Sequence, residues 1–452
     1  MAIIMTAMNA PVLARLAARC ALLAGITLMA PLSAGEAGLS AAEKRIVTAA
    51  TAENASALAL LERLVNINSG TMNFAGVEQV GRIMMSELQN LGFEARWVPM
   101  NAVNRAGHVV AEHKGSGRGR RLLLIGHLDT VFEKDSPFQK FERRGDSAEG
   151  PGVNDMKDGL AIMVSALRAM RAAGTLRDAD ITIVLNGDEE RAGEPISVSR
   201  AELLSAATHS DVALEFEALA TEDGRDMGSV SRRGSMTWNL RATAPSGHSS
   251  GIFSAEAGYG AVYELTRILD DFRRELREPN ATYNVGLVLG GATAAMNSGE
   301  TGGQAAGKSN VIAAEALARG DLRTLSNEQT LRMQTKMRDI VARHLAGTQA
   351  TITFEKDPYP AMPPTAGNRA LLAELNGINR DLGLAQMPEL DPLKRGAGDI
   401  SFVADKVDGL VGFGAVGKGS HAPGETVDLT SFDRQIKRTA LLMTRLSRRP
   451  RG

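Results

Sequence analysis

The chain has 452 residues, 44% of them hydrophobic and 23% charged, with a net charge of −1. That length exceeds what a single core serves and predicts two domains. Near-neutral charge and an aromatic content of only 4% argue against nucleic acid or an anionic membrane surface as a partner.

At the amino end, Arg15 and Arg19 precede an apolar stretch from Cys20 to Met29, and small residues follow as far as Ala37. This order predicts a secretory signal peptide over residues 1–37, cleaved after Ala34 or Ala37. The expected destination is the periplasm or the medium, with no membrane attachment after cleavage; the apolar run is too short to span a bilayer. Cleavage also removes Cys20, the only cysteine, so neither a thiol nor a disulfide is expected.

From Ala41 to Asp223, helical and buried-strand patterns alternate. Apolar spacing predicts helices over 52–65 and 76–91. Leu122 to Ile125 reads as a buried strand ending at Gly126 and His127. In the triplet His127-Leu128-Asp129, residues two apart face the same way in an extended segment, so Asp129 is placed to orient the His127 ring. The loop Gly150 to Asp155 leads into a helix over 159–173, with Leu160, Met163, Val164, Leu167 and Met170 on one stripe. The strand Ile181 to Leu185 runs into Asp188-Glu189-Glu190, and Val212 to Phe216 runs into Glu217. Strand, loop, helix, strand predicts an α/β domain: a mostly parallel sheet with helices on both faces.

Past Gly224 the pattern changes. Strands over 235–243, 283–289, 311–322 and 350–354, with helices over 255–276 and 327–345, predict a split βαβ unit: an inserted α+β, ferredoxin-like dimerisation domain over residues 224–356. Gly290 to Gly307, rich in Gly, Ala and Ser, reads as a loop. Pro358, Pro360, Pro363 and Pro364 mark the return to the first domain, which therefore comprises 41–223 and 357–452. There a helix over 368–384 and an apolar run from Leu410 to Phe413 precede His421. The remaining histidines, His108, His113, His209 and His344, are expected on surfaces or in loops.

Open α/β sheets carry their chemistry beyond the carboxyl ends of the strands. His127, Asp155, Glu190, Glu217 and His421 all fall there, with Glu189 directly beside one of them. Histidines and carboxylates without cysteine suit zinc or a similar divalent ion, and one bridging carboxylate can hold two ions. A two-metal hydrolase is the expected chemistry. An acid as close to the cluster as Glu189 suits a group that accepts a proton during the reaction.

The motifs Gly126-His127-Leu128-Asp129, Gly150-Pro151-Gly152 with Asp155-Met156-Lys157, Asp188-Glu189-Glu190, Phe216-Glu217 and Gly419-Ser420-His421 resemble those of a known family. It is the zinc exopeptidase family of carboxypeptidase G, acetylornithine deacetylase, succinyl-diaminopimelate desuccinylase and the aminoacylases. The resemblance runs from about Ala41 to Leu446 and takes in the inserted domain. It implies that Asp155 bridges two Zn2+ ions, with Co2+ or Mn2+ as substitutes. His127 and Glu217 would complete one site, Glu190 and His421 the other. Glu189 would take a proton from the attacking water and return it to the leaving amine. His248 would reach a partner subunit's site in a homodimer, and Arg323 and Asn310 would hold the substrate carboxylate or support the site. The peptide after Asp155 is often cis in this family. Departures are Asp158, an extra acid expected near the metals, and Tyr359, where relatives of carboxypeptidase G carry arginine.

The activity so implied is that of a carboxypeptidase releasing a C-terminal amino acid, glutamate foremost, from a small peptide or N-acyl amino acid. An N-acyl-amino-acid deacylase or a dipeptidase is the alternative with the same machinery. A non-catalytic binding protein is the alternative of another class, and the intact Glu189 argues against it.

Overall fold

A computed structural model describes residues 38–116 and 118–451; the signal peptide expected over 1–37 lies outside the described residues. Six strands form the main sheet, in the order Glu94–Pro99, Gly107–His113, Ile181–Asn186, Leu122–His127, Val212–Glu215, Gly409–Val411. The last four run parallel to one another and the first two are antiparallel additions at one edge.

Alternation within one strand explains why no polar face appears in the sequence there. Leu122 and Leu124 join the larger core with the helices Ala41–Val65, Phe74–Asn90, Lys157–Ala172 and Ser431–Leu446. Leu123 and Ile125 point the other way, to Leu203 and Ala207 of the helix Ala201–Ala207 and to Ile400 and Val403. Both faces are dry, so every position is apolar. The first helix starts at Ala41 instead of the expected 52, because Ser40 and Glu43 close a capping box there.

The second sheet has four antiparallel strands in the order Thr282–Gly291, Glu315–Arg323, Met236–Thr243, Gln349–Phe354. The helices Ala261–Glu275 and Asn327–Val341 connect them in a strand-helix-strand-strand-helix-strand order. Trp238, Leu240, Leu265, Phe272, Met333 and Met337 build a core separate from that of the first sheet.

Three further expectations about the fold need correction. The segment Gly290–Gly307 is not a plain loop: Thr293–Met296 pairs with Gly303–Ala306 as a hairpin. The helix expected from 255 begins only at Ala261, because Gly258 and Gly260 have φ of +66° and +79°, which a right-handed helix cannot accommodate. His108 is not on the surface. It is fully buried, its Nε2 2.8 Å from the Ser199 carbonyl and its Nδ1 accepting from the Gly187 amide at 3.0 Å.

Candidate metal centre

His127 is the last residue of its strand, and Glu190 and Glu217 follow the ends of the neighbouring strands Ile181–Asn186 and Val212–Glu215. Asp155 comes from the loop before the helix Lys157–Ala172, and His421 from the turn after the short strand Val416–Lys418. These five side chains converge. His127 Nε2 lies 3.1 Å from Asp155 Oδ1 and 3.6 Å from Glu217 Oε1. His421 Nε2 lies 3.1 Å from Asp155 Oδ2 and 3.1 Å from Glu190 Oε2. The two oxygens of Asp155 thus face two separate groups, His127 with Glu217 and His421 with Glu190.

The fit of these donors to divalent cations rests on two further observations. Glu190 Oε1 is buried without a hydrogen-bond partner, and buried carboxylate oxygens seldom remain so. The carboxylates also outnumber the imidazoles. Burial pushes the Glu190 carboxyl up to about 7 despite the neighbouring His421. Hydrogen bonds to Asp155 and Glu190 push His421 up to about 11. Such a cluster calls for positive charge to balance it.

The surrounding shell holds the cluster by its backbone. Asp129 orients more than the His127 ring. Its Oδ1 accepts from the Glu189 amide at 3.0 Å, and its Oδ2 from the Glu190 amide at 3.1 Å and the Thr71 hydroxyl at 2.7 Å. The ring itself meets the Asp129 carbonyl, 3.1 Å from Nδ1. Glu425 does the same for the other loop: its carboxylate accepts from the amides of Gly152, Asn154 and Asp155 at 3.1, 2.7 and 2.9 Å. The peptide bond Asp155–Met156 is cis. Asp158 is not beside the cluster as expected. Its carboxylate is turned into the core, where it accepts from the Ala415 and Gly159 amides, both at 2.7 Å.

A cleft of about 540 Å3 opens over Asp155, Glu189, Glu190, Glu217 and His421. Glu189 lies in its lining, and burial raises its carboxyl well above the usual range, helped by Asp399, Glu217 and Glu190 and opposed by His127. Arg323 also lines the cleft. His248 and Asn310 are exposed and outside that lining. Instead they adjoin each other in the segment that carries the second sheet, where the Asn310 carbonyl accepts from the Ser249 amide at 3.0 Å and His248 Nδ1 lies 2.8 Å from Ser250 Oγ.

Other residues in and behind the cleft wall carry little or no signature in the sequence. Arg232, 5% exposed, donates to Glu215 Oε2 at 2.6 Å and stands 3.6 Å from Glu217. Tyr359 donates its hydroxyl proton to the Glu189 carbonyl at 2.9 Å and accepts from Arg200 at 2.8 Å. Arg200 is itself fully buried between Asp188 and Asp399, at 2.6 and 2.8 Å. Of these, Tyr359 was singled out in the sequence as a departure from relatives of carboxypeptidase G, and Arg232 shows there only as half of the basic pair Arg232-Arg233.

Residues 123–446 match Peptidase family M20/M25/M40. The chain belongs to the M20 peptidase family. Carboxypeptidase G2 of Pseudomonas sp. (strain RS-16) is 29% identical over 300 residues, a match covering 65% of this chain and 66% of that one, just under two thirds. A succinyl-diaminopimelate desuccinylase of Novosphingobium aromaticivorans is 28% identical, over 84% of this chain and 97% of its own. Among solved structures, Bacillus subtilis YxeP, a dinuclear metal-binding M20 peptidase, superposes with a TM-score of 0.61 at 15% identity, over 87% of this chain and 98% of that one. That likeness is one of fold. Membership of a peptidase family and the convergence of these His, Asp and Glu side chains make the cluster a candidate metal site.

Proposed function

We propose that the protein is a dizinc carboxypeptidase that hydrolyses an amide bond to release a C-terminal amino acid, glutamate foremost, from peptides or N-acyl amino acids. The division of the two Asp155 oxygens between His127 with Glu217 and His421 with Glu190 carries this reading, since it is the arrangement a bridging carboxylate needs. Zinc bound there supplies Lewis acidity for the scissile carbonyl and lowers the pKa of water. Glu189 accepts the proton of the attacking water and passes it to the leaving amine. Asp129 fixes the backbone on which Glu189 and Glu190 ride. Arg323 offers its planar guanidinium to the α-carboxylate of the departing amino acid. The similarity to carboxypeptidase G2 supports this branch.

A second reading is N-acyl-amino-acid deacylation or dipeptide hydrolysis by the same residues. It is favoured by the match along nearly the whole length of a desuccinylase and by Tyr359, an uncharged ring in the cleft wall where the resemblance to carboxypeptidase G implies arginine. Hydrolysis of a panel of N-acyl amino acids and dipeptides, with acyl-glutamates included, separates the two. Activity is expected to vanish on chelation and return with zinc. Glutamate release supports the first reading, release of other amino acids the second, and no turnover despite bound zinc a binding protein.

The reading includes a homodimer, exported to the periplasm or the medium, in which His248 and Asn310 complete the partner's site. Their exposure away from the chain's own cleft supports this, as does an exposed aromatic pair nearby, Phe253 and Tyr263, 55% and 52% accessible with ring centroids 5.4 Å apart. Among the described residues, no helix is long and apolar enough to cross a membrane. Mixing Glu189→Gln subunits with His248→Ala subunits is expected to restore part of the activity that each lacks alone. Absence of any rescue at equal metal content counts against the shared site.

A further inference from the structure

Three arginines line the cleft, and they differ in what neutralises them. Arg232 is spent on Glu215 and on the carbonyls of Gly396 and Ala397. Arg323 gives its Nε to Asp321 Oδ2 at 2.9 Å and keeps its two outer nitrogens for the cleft. Arg395 has only neutral partners: Nε donates to Ser229 Oγ at 3.3 Å and Nη2 to the Ala218 carbonyl. Among the described residues, no carboxylate stands within ion-pairing distance of it, and Nη1 makes no hydrogen bond.

The position of Arg395 is well defined. Ala218 directly follows Glu217, so the bond to its carbonyl pins the guanidinium beside the metal cluster. The next residue, Gly396, meets Arg323: a Cβ on Gly396 would stand 3.6 Å from Arg323 Nη1. Arg323 and Arg395 therefore share one wall of the cleft. Glu217, Glu215 and Asp155 act on Arg395 only from a distance, and a half-buried guanidinium with no direct ion pair gains from an anion that reaches it. The planar fork of a guanidinium favours carboxylate among anions of metabolite size.

We propose that Arg395 is a specificity-determining residue that takes a second substrate carboxylate, alongside the one held by Arg323. The preferred departing amino acid is then dicarboxylic. The inference rests on the amide-hydrolase reading for the substrate's identity, but the binding site itself is testable without turnover. L-glutamate and L-glutamine share the α-carboxylate and differ only in whether the side chain ends in a carboxylate or a carboxamide.

Calorimetric titration of the zinc-loaded full-length protein is expected to show L-glutamate binding at least about tenfold more tightly than L-glutamine, the scale of one charge-assisted hydrogen bond. Arg395→Gln is expected to bring that ratio close to unity, with the loss falling mainly on glutamate, and Arg395→Lys to keep part of it. Equal weakening of both ligands, or a glutamate preference that survives Arg395→Gln, overturns the proposal. Acyl-glutamate hydrolysis, measured on the same preparations, tests the other reading. A preference lost in Arg395→Gln by a protein that cleaves no amide upholds the site and overturns amide hydrolysis. Cleavage with the preference unaltered does the reverse.

Discussion

Glu189→Gln is expected to lower kcat by about 10³-fold while the metal content stays that of the wild type, since positioned proton transfer contributes about 10²–10⁴-fold. The substitution is nearly isosteric, and the backbone of residue 189 is held from both sides. Its amide donates to Asp129 Oδ1 and its carbonyl accepts from the Tyr359 hydroxyl. Neither bond involves the side chain that changes. The carboxylate is near enough to His127 and Glu190 to offer a ligand atom, but it takes no part in either of the two groups that divide the Asp155 oxygens, so metal content is expected to hold. Steady-state kinetics together with elemental analysis on one preparation decide the matter. Retained turnover, or loss of metal in step with activity, removes Glu189 from the role of base.

Asp155→Asn is expected to fail differently, by releasing metal from both sites at once. Replacing a residue that merely orients a metal ligand costs about 10–100-fold in metal affinity, and a shared ligand is expected to exceed that at each site. By contrast, Glu217→Gln and His421→Ala each touch one group only, 3.6 Å from His127 and 3.1 Å from Glu190 respectively. They are expected to leave about one equivalent bound. Metal content and competition with a chelator, compared across the three variants, provide the test. Equal losses in all three would show that Asp155 does not bridge. The Asp155 loop is built to hold its shape without the carboxylate, because Glu425 grips the amides of Gly152, Asn154 and Asp155. The effect therefore reads out ligation more than folding.

The parallel sheet and the strand-end acids were legible in the sequence for a definite reason. A strand buried on both faces must be continuously apolar, as Leu122 to Ile125 is, and the polar residue that ends it stands out. His127, Glu190 and Glu217 are such endings, and the order of elements alone brings them to one edge. The element order of the second sheet was legible from the change to alternating patterns, although the hairpin at Thr293–Met296 was hidden by residues that have little strand preference.

What tertiary structure alone decided is where long-range partners fall. Arg232, Arg395 and Tyr359 enter the cleft from segments that carry no periodic signal, and each is defined by bonds to residues far along the chain. Glu425 accepts from amides about 270 positions earlier, a relation no local pattern encodes. Asp158 was expected near the metals and instead faces the core, because the turn of the helix that begins at Lys157 points its carboxylate to the Ala415 amide. Local periodicity fixes which face of an element is dry. Which charged side chain meets which partner depends on chain segments that only folding brings together.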